Sequence, residues 1–228
     1  MNERKNFLSA LTSDERRVVR RLSSPEKIQS YLDTLTYSSD DWYRSPIQAL
    51  RDGRAHCYDG AVLGAALLFL IGYSPLIINM FPTSRDDEHL VAPFRRFGAW
   101  GAVGKSNFVG LRYREPIHKT MRELIISYFE QYYNVAGEKT LRSYTKPLDL
   151  STLRVRSWMT DPAAMDRIAD KLERMKRYPV LTPQMIRGLA AVDPRSYKAG
   201  LQGSIPDGLF KVTSGPSSPN GGSSRHSG

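Results

Sequence analysis

A chain of 228 residues with 40% hydrophobic and 25% charged content can bury one sizeable core and at most a small satellite. Its single cysteine excludes an intrachain disulfide and any zinc site built from several cysteines. The net charge of +10 attracts anions in general, but the basic residues are dispersed, with Arg16, Arg17, Arg20 and Arg21 the densest group, so a solvated basic surface is the reading and nucleic acid is not an expected partner.

The first 37 residues read as helical. Ser13-Asp14-Glu15 resembles an N-cap, and Ser24-Pro25-Glu26 starts another helix with Pro at its first position. The opening MNERKNFLSALTSDERR has no apolar stretch of signal-peptide type, which makes the cytoplasm the expected location. After the polar run YSSDDWYRSP, Ser45-Pro46 opens a short helix that ends at Gly53. Residues Ala61 to Ile71 are almost wholly apolar and predict a helix buried on all sides, with Cys57 at its N-terminal end. The apolar run from Gly60 to Gly72 falls short of the ~18 or more residues of a membrane span, so no membrane partner is expected.

Gly72 to Pro75 breaks that helix, and LIINMF has the β-branched character of a strand. Asp86, Asp87 and Glu88 read as a plain acidic turn rather than a cation-binding loop. HLVAPFRRF and WGAVG predict two further strands around a turn at Phe97-Gly98. From His118 to Val135 the apolar positions recur at helical spacing. Residues 145–160 read as irregular, and helices follow at Asp161-Pro162 and Thr182-Pro183. The run from Thr213, rich in Gly, Ser and Pro, cannot bury a core and is expected to be disordered. The element order predicts an α+β fold.

A thiol acts as a nucleophile in its thiolate form, and a helix N-terminus favours that anion through its dipole and free N–H groups. Cys57 is therefore expected to have a depressed pKa. It needs a base, and His89, which begins a strand after the acidic turn, suits that role better than His56, His118 or His226.

The segments CYDGAVLGAALLFLIGYSPLIINM and DDEHLVAPFRRFGAWGAVGKSN resemble the nucleophile helix, the histidine strand and the following hairpin of transglutaminase-like, papain-like cysteine proteins. GAVGKSN (101–107) followed by RYREP (112–116) looks most like a bacterial subgroup with that pair of motifs. The resemblance covers roughly residues 45–135. It implies a papain-like transglutaminase core, in which a buried nucleophile helix packs on a small antiparallel sheet. Residues 1–44 would be a helical N-terminal addition, 136–212 a helical extension and 213–228 a tail. Cys57 would be the nucleophile and His89 the general base. Such proteins usually carry an Asp four residues after the hairpin tryptophan, but here that position is Gly104. Asn107 takes the third role instead, with Ser106 behind it. Trp100 and Gln48 are supporting candidates. The implied activity is acyl transfer or hydrolysis at an amide bond of a protein or peptide, without metal or cofactor. The alternative is a silent peptide-binding module on the same fold.

Overall fold

The computed structural model describes residues 3–153 and 157–211. The expected disordered run from Thr213 lies outside them.

Three helices open the chain: α1 (Glu3–Ala10), α2 (Ser13–Arg21) and α3 (Pro25–Thr34). Thr12, not Ser13, is the N-cap of α2, and it exchanges hydrogen bonds with Glu15 in a capping box. β1 (Thr36–Tyr37) pairs in parallel with β2 (Arg54–Ala55), and α4 (Pro46–Asp52) lies between them in sequence. Then comes α5 (Cys57–Leu70), whose residues Ala61 to Leu68 are all buried, as an apolar circumference requires.

The sheet is antiparallel and larger than the expected three-stranded meander. β3 (Leu76–Phe81), β4 (His89–Arg96), β5 (Ala99–Val103) and β6 (Arg114–His118) run in order toward one edge. After the short helix α6 (Met121–Ile126), β7 (Ser143–Thr145) and β8 (Leu148–Asp149) pair with opposite ends of the other side of β3. Following α7 (Ala163–Glu173), β9 (Arg177–Pro179) pairs with β7, and the short helices α8 (Pro183–Arg187) and α9 (Pro194–Gly200) complete the elements. Residues beyond 135 thus extend the same sheet as the expected core.

Two expectations need correction. The helix foreseen over 118–135 is only α6, because His118 ends a strand and the chain turns through Phe129–Gln131. That turn buries Tyr128 and Tyr132, whose hydroxyls donate to the carbonyls of Arg112, and of Met80 and Asp87, respectively. The stretch 145–160 is not wholly irregular, since β8 falls within it.

Strand alternation divides the core into two layers. Ile77, Leu90, Ala92 and Phe94 pack with α5, while Ile78, Met80 and Val91 pack with Leu124, Tyr128 and Tyr132 on the opposite face. Two glycines bring α5 close to the sheet. A Cβ at Gly60 would lie 2.2 Å from the Cβ of Lys105, and one at Gly64 would lie 2.9 Å from a Val103 methyl. This approach sets Cys57 beside the first residues of β4. No helix among the described residues is long and apolar enough to cross a membrane.

Candidate active site

Cys57 is the first residue of α5 and is half-buried. Its Sγ lies 3.5 Å from the carbonyl of Glu88 at the start of β4. The residue before it, His56, is the N-cap. Its Nδ1 accepts from the N–H groups of Tyr58 at 3.1 Å and Asp59 at 3.4 Å. A nitrogen that accepts these bonds carries no proton, so His56 holds its hydrogen on Nε2, 3.6 Å from Asp59 Oδ1. His56 is locked as a cap and cannot serve Cys57 as a base.

This cap weakens the reason for expecting a depressed thiol, although the Tyr58 N–H still favours the anion. Two of the first-turn N–H groups that were to favour the anion are occupied by His56. Burial then dominates and pushes the Cys57 thiol up to about 12, with the Asp87 and Asp59 charges adding to the rise and the Leu90 N–H only partly offsetting it. The resting cysteine is a neutral thiol.

Below the cap, Asp59 is fully buried and accepts from the Arg44 backbone N–H at 2.8 Å. The Arg44 guanidinium, itself buried, reaches Asp59, Asp52 and Asp40. Burial raises the Asp59 carboxyl, and the nearby His56 and Arg44 lower it. This cluster fixes the turn that presents Cys57.

His89 is 4% exposed, and its Nε2 lies 2.7 Å from the carbonyl of Leu111. A carbonyl only accepts, so Nε2 carries the hydrogen and the neutral ring keeps its lone pair on Nδ1. The rings of Tyr128 and Tyr132 stand edge-on to it at 6.5 and 6.3 Å. Burial pulls the imidazole down to about 4, against the opposing effect of the Leu111 bond. Cys57 and His89 line one small cavity of about 40 Å³ together with Ser106, Asn107 and Tyr37. No Cys57–His89 hydrogen bond is formed among the described residues.

Asn107 does not orient the imidazole in this geometry, because the Leu111 carbonyl occupies Nε2. Instead its amide brackets one residue of the C-terminal segment. Nδ2 donates to the Ile205 carbonyl and Oδ1 accepts from the Ile205 N–H, both at 2.8 Å. Ser106 lines the same cavity, and its hydroxyl accepts from the Phe108 N–H at 3.0 Å. Trp100 is at the wrong end of the sheet: it pairs with Arg95, whereas His89 lies six positions earlier on β4, about 20 Å away at strand spacing. Gln48 caps α4 through Ser45 and lies outside the cavity.

Tyr37 was missed by sequence reasoning. It lines the thiol cavity, and burial raises its hydroxyl well above the ordinary value, with the Cys57 backbone N–H opposing that rise. Only the pairing of β1 with β2 brings it there, and a two-residue strand leaves no periodic signal. A second, larger cavity of about 390 Å³ adjoins it at Cys57 and is lined by the acidic turn and α7. Residues Asp207 to Leu209 form part of its wall.

No protein-family model and no curated protein matches the chain in sequence. Among solved structures, EGTA-treated Legionella pneumophila LapG is 16% identical with a TM-score of 0.38, over 73% of this chain and 95% of that one. The calcium-bound form of LapG is 15% identical with the same TM-score, over 97% of its own length. An overlap at this level identifies neither a family nor an activity.

Proposed function

We propose that the protein is a thiol-dependent acyl transferase or hydrolase acting on an amide of a peptide or protein, with Cys57 as nucleophile and His89 as base. The observation that carries this reading is the shared cavity of Cys57 and a His89 whose Leu111 bond leaves Nδ1 free to accept a proton. The resemblance of residues 45–135 to transglutaminase-like proteins, with a papain-like core, points the same way.

Because the thiol and the imidazole are both neutral at rest, attack is general-base-assisted rather than the work of a preformed ion pair. The Sγ proton passes to Nδ1 as Sγ bonds to the acyl carbon. The oxyanion forms near the Tyr37 hydroxyl, a donor that lines the same cavity as Cys57. Collapse breaks the C–N bond, and the amine leaves with the proton from His89. Water, or a second amine, then attacks the thioester while Nδ1 takes its proton, and Cys57 departs as the thiol. The Leu111 carbonyl fills the orienting role expected of Asn107. Asn107 instead offers one donor and one acceptor to an extended backbone, as a neighbouring strand would.

The rival reading is a silent peptide-binding module, and the raised Cys57 thiol favours it. Incubation with a mixed peptide library, followed by mass spectrometry, separates the two. The enzyme reading expects new termini or amine cross-links that vanish in Cys57→Ser. An unchanged library, with peptides retained on the protein, supports the module.

A further inference from the structure

The larger cavity beside Cys57 is acidic in a protein whose formal net charge is +10. Asp87, Glu88, Glu173 and Asp207 all line it, and no lysine or arginine among the described residues does. Two of the surrounding acids are neutralised from outside: Asp40 by Arg44, and Glu173 by Arg177 at 3.0 Å. Asp87 and Asp207 form no ion pair among the described residues, while Glu88 accepts from the Asn79 amide and faces the Glu173 carboxyl. Burial raises the carboxyls of Asp87 and Glu88, and Glu173 raises Glu88 further, with His56 near Asp87 and Arg177 near Glu88 offsetting the rise only in part.

A second observation is independent of the charges. Asn79 is 2% exposed, lines the cavity and donates Nδ2 to Glu88, yet its buried Oδ1 has no hydrogen-bond partner among the described residues. An orphaned buried acceptor is a standing cost that a donor would remove. Asn79 Oδ1 and the Asp87 carboxylate are both acceptors on this wall. The ring of Tyr43, packed on Tyr58 with centroids 4.2 Å apart, also lines the cavity. The volume of about 390 Å³ accommodates an extended side chain rather than a bare ion.

We propose that this cavity is a subsite for an organic cation, the ammonium or guanidinium end of a lysine or arginine side chain, set beside Cys57 so that the acyl group attacked adjoins a basic residue. The placement beside the reacting carbonyl rests on the acyl-transfer reading, whereas the binding itself does not. An alkylammonium or guanidinium supplies several donors and one positive charge, which matches the Asn79 oxygen and the carboxylates of Asp87 and Asp207.

The test is equilibrium binding to the full chain, followed by NMR or calorimetry, with N-acetyl-lysine methylamide, N-acetyl-arginine methylamide and the neutral N-acetyl-norleucine methylamide. The proposal expects the cationic amides to bind at least about tenfold more tightly than norleucine. D87N/E88Q should erase that preference, while D14N, which changes an exposed acid on α2, should keep it. Melting curves confirm that each variant is folded. If D87N/E88Q does not fold, N79L, which removes the orphaned oxygen, must weaken the preference in its place. Equal binding of lysine and norleucine amides would overturn the subsite, as would a preference that survives D87N/E88Q or N79L. So would saturation by a divalent cation with no response to the amides. Binding is also read in Cys57→Ala. A preference retained there beside an inert wild-type thiol would refute the acyl-transfer reading alone.

Discussion

His89 donates Nε2–H to the carbonyl of Leu111 across 2.7 Å, a bond between the first residue of β4 and a backbone group 22 positions later. It assigns the tautomer of a buried ring, and two predictions depend on that ring.

The first is a pH dependence of stability. His89 is lowered to about 4 in the fold, and a histidine in an unfolded chain titrates near ~6.5. Between those values the unfolded chain binds the proton more readily, so stability is fully present above pH ~6.5 and falls as pH drops toward 4. The full shift corresponds to ~3 kcal/mol. Asp86, raised to about 6 by burial, acts with the opposite sign in the same window, so the comparison is made against His89→Gln. Urea melts from pH 4 to 7 should show a steeper acid loss for the wild type than for the variant. Parallel curves would place a solvated imidazole at position 89.

A second prediction concerns the turn beneath Cys57. Arg44→Met removes the guanidinium that balances the buried Asp59, and an uncompensated buried charge costs about 3–5 kcal/mol. Adding Asp59→Asn removes that charge and should recover part of the loss in a denaturant melt. If Arg44→Met alone melts like the wild type, the cluster does not hold the turn.

The C-terminal segment supplies a third. Asn107 brackets Ile205, and a Cβ at Gly208 would lie 2.7 Å from the Tyr37 ring, so the segment is seated close over the thiol cavity. A chain ending at Gly203 should present a more hydrated Cys57. Its alkylation by iodoacetamide at neutral pH should be several-fold faster, and its thiol pKa lower, because burial is the main cause of the rise. An unchanged rate and pKa would show that residues beyond 203 do not control access to the thiol.

Part of this site was legible in the sequence, and the limits have physical causes. Cys57 could be placed because a polar turn ahead of an apolar run marks a helix start whatever the helix packs on. His89 could be placed at a strand start, but not its partner, because the Leu111 carbonyl is brought over by β6 and the turn before it. Trp100 misled because counting along a hairpin gives sequence separation, whereas the register pairs it with Arg95 at the far end. Asn107 was found by motif and misread in role, since Ile205 lies 98 residues away. The strands β7, β8 and β9 have two or three residues each, too few for alternation to show.

The central claim is that Cys57 reacts with the help of His89, and iodoacetamide alkylation of Cys57 in wild type and His89→Gln tests it most directly. Mass spectrometry reads the rate at pH 7.5, and the wild-type thiol is its own site marker because the chain has no other cysteine. A positioned base contributes about 10²-fold or more to such a transfer. The account predicts modification of the folded wild type and a loss of that order in His89→Gln, with the fold retained by circular dichroism. Modification that requires denaturant, at the same rate in both proteins, would contradict it.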